Sequence, residues 1–141
     1  MPCRLSVIIP CYNSEKTIDS CLEAVVEKSI VRPDEVLVID DGSIDETLQV
    51  IRHFDVEAHS LKANMGAAYA RNFGAARAEN DILVFIDSDV AISQDALRQI
   101  KDHFVNDVFP AAVFGSYDSD PEAGNLASRY RNLLHHITHQ C

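Results

Sequence analysis

The feature that most constrains this chain is a repeated unit: a short apolar run, a polar or acidic cluster at its carboxyl end, then residues with helical apolar spacing. Leu5-Ser6-Val7-Ile8-Ile9 leads into Pro10-Cys11-Tyr12-Asn13, and Glu35 to Ile39 leads into Asp40-Asp41-Gly42-Ser43. Ile82 to Ile86 leads into Asp87-Ser88-Asp89. Runs this short, continuous and apolar suit strands covered on both faces, and helical segments between them suit crossover connections. The expected fold is therefore α/β: a Rossmann-like, mostly parallel sheet with helices on both faces.

The intervening segments supply the helices. Ser14 is placed to cap a helix carrying Ile18, Cys21, Leu22, Val25 and Val26 on one face, and a second amphipathic helix is expected over Asp45 to His53. A weaker third strand is expected near Val56 to His59, and an alanine-rich helix from Gly66 to about Ala78. Gly74 costs that helix roughly 1 kcal/mol of propensity, which close packing against the sheet would justify. Ser93 is placed to cap the next helix, lined by Leu97, Ile100 and Phe104. Pro110 to Tyr117 reads as a fifth strand, Asp118 to Asn125 as a loop and Leu126 to His139 as a last helix.

The 141 residues make one domain's length, able to bury roughly 68–70% of the unfolded surface. There is no long apolar run and no basic-then-apolar leader, so a cytoplasmic location is expected, with membrane association only through regions not present in the chain. Cys3, Cys11, Cys21 and Cys141 form no C-x-x-C pair and read as reduced thiols. The net charge of −10 repels phosphate backbones and argues against nucleic acid as a partner. An acidic protein that binds anionic phosphates needs a cation to mediate.

In a parallel sheet, ligands bind beyond the carboxyl ends of the strands, so the three loaded strand ends are the place to look for chemistry. If their strands lie side by side, one edge gathers an aromatic ring, an amide and four carboxylates, which suits a nucleotide held with a metal. Asp87 and Asp89 repel each other unless a divalent cation lies between or beside them, and magnesium or manganese commonly uses one or two carboxylates plus substrate phosphates. The same aspartates also suit a helix start, and Asp40-Asp41-Gly42-Ser43 also suits a turn. Arg71 reads either as a solvated helical charge or as a donor to a nucleotide oxygen. His135, His136 and His139 read as a surface or interface cluster rather than a zinc site. No P-loop, dinucleotide turn or serine-hydrolase elbow occurs.

In order and spacing, "SVIIPCYNSEKTIDSCLEAV", "VLVIDDGSIDET" and "NMGAAYARNFGAARAENDILVFIDSD" together resemble the amino-terminal, nucleotide-binding half of family 2 glycosyltransferases of GT-A fold, over about Leu5 to Ala91. The resemblance implies sugar transfer from a nucleotide-diphosphate donor, with UDP-sugar the expected one, to an unknown acceptor (saccharide, lipid or protein), usually with inversion and Mn2+ or Mg2+. It places Pro10, Tyr12 and Asn13 around the base and ribose, Asp40 as reader of the base, and Arg71 on the nucleotide. Asp87 would meet the ribose or metal, and Asp89 would bind the metal. The catalytic base and a Gln-x-x-Arg-Trp motif expected of the family are not marked, although Asp118, Asp120 and Glu122 lie in a plausible acceptor-side loop. The chain is therefore expected to be a donor-binding piece that ends before the acceptor region. A haloacid-dehalogenase-type phosphatase using Asp87 and Asp89, a phospho-receiver module and a binding-only domain are the other readings. The first two place their acidic residues on early strands, unlike this chain.

Overall fold

The computed structural model describes residues 4–105. The strand expected over 110–117, the loop with Asp118, Asp120 and Glu122, the helix with His135, His136 and His139, and the thiols of Cys3 and Cys141 lie outside the described residues.

The described chain runs β1 (Leu5–Cys11), α1 (Ile18–Leu22), β2 (Glu35–Asp40), α2 (Thr47–Ile51), β3 (Glu57–Ser60), α3 (Ala67–Ala75), β4 (Ile82–Phe85) and α4 (Ala96–Val105). α1 continues as a π-helical turn, Glu23–Glu27. The strands form one sheet in the order β3-β2-β1-β4, and every pairing is parallel. β1 is thus central, flanked by the other two strands that end in acidic residues.

Side-chain alternation divides β1 between two apolar layers. Leu5, Val7, Ile9 and Cys11 pack with Ile18, Cys21, Leu22 and Val25 behind α1, joined by Ile51 of α2 and Leu97 of α4. Ile8 faces the other way and packs with Leu37, Ile39 and Ala70 under α3. Helices therefore cover both faces, as the apolar strands require. At Gly74 α3 lies close on the sheet: a Cβ there would lie 2.6 Å from Ile8 Cγ2.

Several boundaries differ from expectation, each for a local reason. β1 runs through Pro10 to Cys11, because Ile8 O accepts from Ile86 N on the β4 side and Pro10, two residues on, faces that same side beyond the last β4 pairing. The missing proline N–H therefore forfeits no ladder bond. Ser14 does not cap α1. Its carbonyl accepts from Thr17 N and Ile18 N, and the helix starts three residues later than a Ser14 cap implies. Asp45 lies ahead of α2 and accepts from Thr47 N, which shortens that helix. Likewise the Ser93 hydroxyl donates to the Asp95 carboxylate instead of accepting from the backbone of α4.

Cys11 and Cys21 are buried free thiols. Burial first, then the neighbouring carboxylates, pushes both up to about 12: Asp40, Asp45 and Asp41 act on Cys11, and Asp89 and Asp87 on Cys21. The unfolded chain ionises a thiol from about pH 8.5 while the folded one does not. Their contribution is therefore complete below that pH and is lost as the pH rises toward 12, at about 1.4 kcal/mol per unit per thiol. At pH 8.5 the native chain should leave Cys11 and Cys21 unalkylated by iodoacetamide over a period that labels both in urea, as read by peptide mass mapping. Equal labelling in both states would contradict their burial.

Candidate functional site

The carboxyl ends of β2, β1 and β4 and the amino-terminal end of α3 enclose one cleft of about 630 Å³. Its walls include Pro10, Tyr12 and Asn13 after β1, Asp41 after β2, Gly66 and Arg71 around α3, and Asp87, Ser88 and Asp89 after β4. Of the residues expected to hold nucleotide or metal, all line this cleft except Asp40.

Asp40 is fully buried. Its Oδ1 accepts from Ser43 N at 3.2 Å and its Oδ2 from Ser60 Oγ at 2.8 Å, so the carboxylate ties the β2 exit to β3. Asp40, expected from the resemblance to read a base, thus stands behind the cleft wall with both oxygens bonded inside the protein. Its neighbour Asp41 borders the cleft instead, accepting from Met65 N and Gly66 N, each at 2.8 Å. That pair of bonds anchors the start of α3 over the strand ends. Each carboxylate oxygen of Asp41 keeps acceptor capacity for a ligand N–H.

The β1 exit is built as a clasp. Asn13 takes a left-handed backbone, φ 47°, which asparagine tolerates better than most residues. Its N–H donates to Ser43 Oγ at 2.9 Å and its Oδ1 accepts from Ile44 N at 3.0 Å. With its Oδ1 so occupied, Asn13 offers the cleft only its amide NH2. The clasp leaves the Tyr12 ring 45% exposed in the cleft wall, available for stacking. Behind it, Ser14 Oγ lies 2.9 Å from Ser88 Oγ, joining the β1 exit to the middle of the Asp-Ser-Asp triplet. Ser14 N also donates to Thr47 Oγ1, whose hydroxyl donates to Asp45. Burial would raise the Asp45 carboxyl, but hydrogen bonds from Thr47 and from Glu15 N outweigh it and hold it below the ordinary range.

The two carboxylates after β4 are not equivalent. Arg71 Nη2 lies 2.5 Å from Asp87 Oδ1, so a guanidinium neutralises one of them. Asp89 is exposed, and its carboxylate has no hydrogen bond to other described residues. Among the described residues no group of three or more His, Cys, Asp or Glu side chains could enclose a metal. Two all-oxygen ligands at a cleft wall nevertheless fit a hard cation that completes its shell with water and substrate phosphates. Asp87 and Asp89 would hold it. Among the described residues no helix is long and apolar enough to cross a membrane.

Sequence reasoning counted Asp41 among the four carboxylates of this edge without giving it a role, and it missed the Ser14–Ser88 link; side-chain alternation bears on both. Leu37, Ile39 and Asp41 share the α3 side, while Ile82, Val84, Ile86 and Ser88 share the α1 side.

The family model described as glycosyl transferase family 2 matches residues 6–140. The chain is 36% identical over 105 residues to an uncharacterized glycosyltransferase, YfnE, of Bacillus subtilis, covering 71% of this chain and 27% of that protein. It is 34% identical over 101 residues to the poly(ribitol-phosphate) beta-N-acetylglucosaminyltransferase TarS of Staphylococcus aureus, covering 67% of this chain and 18% of TarS. The chain thus spans about a quarter or less of the length of these relatives. Among solved structures, S. aureus TarS 1-349 in complex with UDP-GlcNAc superposes with a TM-score of 0.67 at 33% identity, over 72% of this chain and 31% of that one. Glucosyl-3-phosphoglycerate synthase of Mycobacterium tuberculosis, in complex with Mn2+, UDP and glucosyl-3-phosphoglycerate, superposes with a TM-score of 0.59 at 27% identity, over 67% of this chain and 37% of that one. With a parallel sheet of GT-A type and a family match over nearly its whole length, the chain belongs to glycosyl transferase family 2.

Proposed function

We propose that residues 1–141 form the donor-binding unit of an enzyme that transfers a sugar from a UDP-sugar to an acceptor, with inversion and with Mn2+ or Mg2+. The observation that carries this reading is the convergence of Tyr12, Asp41, Arg71, Asp87 and Asp89 on one cleft. The UDP-GlcNAc bound to TarS and the UDP and Mn2+ bound to the mycobacterial synthase support it.

In this reading the Tyr12 ring stacks on the base and Pro10 closes the wall beside it. Asn13 fixes the loop that presents Tyr12, with its NH2 free to donate toward the ribose. Asp41, in place of Asp40, accepts an N–H from the base; a hydrogen bond to a charged acceptor is worth roughly 1.5–3 kcal/mol. Arg71 offers its guanidinium to the anionic donor, and Asp87 and Asp89 carry the cation. When bound, that cation neutralises charge on the departing diphosphate. Displacement at the anomeric carbon also needs a base for the acceptor hydroxyl, typically contributing 10²–10⁴-fold. Among the described residues the acidic ones lining the cleft are Asp41, Asp87 and Asp89, all given other work above, so we place the base and acceptor site outside residues 4–105.

The test is titration of UDP and of inorganic diphosphate in manganese with the wild-type chain and Asp41→Ala. Loss of the base contact should weaken UDP by about tenfold or more and leave inorganic diphosphate nearly unchanged. Equal losses for the two ligands would remove Asp41 from the base.

A further inference from the structure

We infer that Arg71 is a built-in stand-in for the cation: without donor its guanidinium occupies the Asp87 carboxylate, and donor binding exchanges that ion pair for two others. In the exchange the divalent cation takes Asp87, and the released guanidinium turns to the donor's diphosphate. The inference rests on the donor-binding reading above and adds an order of events to it.

The geometry makes the pair specific. Arg71 projects from α3 and Asp87 from the β4 exit, sixteen residues apart, yet Nη2 and Oδ1 meet at 2.5 Å. Alternation along β4 puts Leu83, Phe85 and Asp87 on the side facing α3, so the contact follows from the strand itself. Both side chains remain partly open to the cleft, 37% exposed for Arg71 and 55% for Asp87, so the pair can part without unpacking the core. Asp89, two residues on, has no such partner among the described residues.

The charge balance then gives the arrangement a consequence. Among the described residues Arg71 is the one basic residue lining the cleft, against Asp41, Asp87 and Asp89. While it remains on Asp87 it offers little to an incoming diphosphate. A cation arriving alone, with Asp41 and Asp89 the other anions at the cleft, must displace a guanidinium that does not gain a diphosphate in exchange. A cation arriving with a nucleoside diphosphate displaces a guanidinium that does. Cation and nucleotide should therefore each strengthen the other's binding, by the same factor, as linkage requires. The apparent affinity for the bare cation is lowered by the fraction of molecules in which Asp87 is held.

The prediction is a pair of effects of opposite sign from one substitution. Mn2+ alone, titrated by electron paramagnetic resonance, should bind Arg71→Gln about tenfold tighter than the wild-type chain. UDP in saturating Mn2+, followed by calorimetry, should bind the same variant about tenfold weaker, because a charge-assisted contact is gone. Arg77→Gln is the control, since it removes the same charge just past the far end of α3, where Arg77 lies over Phe73 and donates to its carbonyl. It should change neither affinity. Thermal melts of all three proteins confirm that the fold is kept. The inference is overturned if Arg71→Gln binds Mn2+ no more tightly than wild type, or if Arg77→Gln gains as much, which would make the effect one of general field. The manganese arm contains no nucleotide, so its outcome stands apart from the donor reading. Failure of the wild-type chain to bind UDP in manganese would sink the donor reading instead.

Discussion

Asp89→Asn should lose about a hundredfold in affinity for UDP in manganese while its melting temperature stays at the wild-type value. The residue is exposed, and its carboxylate carries no hydrogen bond to other described residues, so the fold has little to lose. A charged interaction of this kind is worth about 1.5–3 kcal/mol, and its upper half corresponds to the expected loss. Asp87 alone leaves the cation one protein carboxylate where two stood at the cleft wall. Calorimetric titration of both proteins at one manganese concentration measures the difference, and a denaturation curve measures stability. A variant that binds UDP normally but unfolds early would make Asp89 a structural carboxylate and not a ligand.

The second large effect lies in the core. Gly74→Val should destabilise the chain by about 3 kcal/mol, against a gain of about 0.4 kcal/mol in helix propensity. A Cβ at this position meets Ile8 Cγ2 at 2.6 Å and Ile39 Cγ1 at 3.2 Å. Ile8 is fully buried on the central strand, and its Cγ2 branches directly from Cβ, so it has little freedom to retreat. Either α3 lifts or β1 bends. Because α3 also carries Arg71 and begins at the Asp41 anchor, UDP binding should fall with stability. A thermal melt should show a loss of about 10 °C. A variant as stable as wild type would mean that α3 is packed less tightly than the contact distances indicate.

The parts of this structure legible in the sequence are those set by local pattern. Parallel strands with helices on both faces follow from apolar runs too short and too continuous for half-exposed strands, and the cleft follows from polar residues at three strand ends. The boundaries were less legible because they depend on partners distant in sequence. Pro10 ends no strand here because its missing N–H falls on the side where β4 has already stopped pairing. Ser14 looks like a helix cap, but its hydroxyl is claimed by Ser88, seventy-four residues away. Adjacent aspartates posed the same problem in the site. Asp40 and Asp41 are chemically identical and one residue apart, and only the alternation of β2 tells which one meets Ser60 and which meets the cleft. Asp41 was one of the four carboxylates expected at this edge, but its anchoring of Met65 and Gly66 is a contact with backbone, which leaves no side-chain signature.

The central claim is that the acidic edge of the sheet accepts a nucleoside diphosphate only in company with a divalent cation. Calorimetric titration of the wild-type chain with UDP, once in excess manganese and once in excess EDTA, tests it most directly. The account predicts saturable one-to-one binding in manganese and at least a tenfold loss in EDTA, since Asp41, Asp87 and Asp89 otherwise face the diphosphate with one arginine between them. Equal affinity under both conditions, or no binding in manganese, would contradict it.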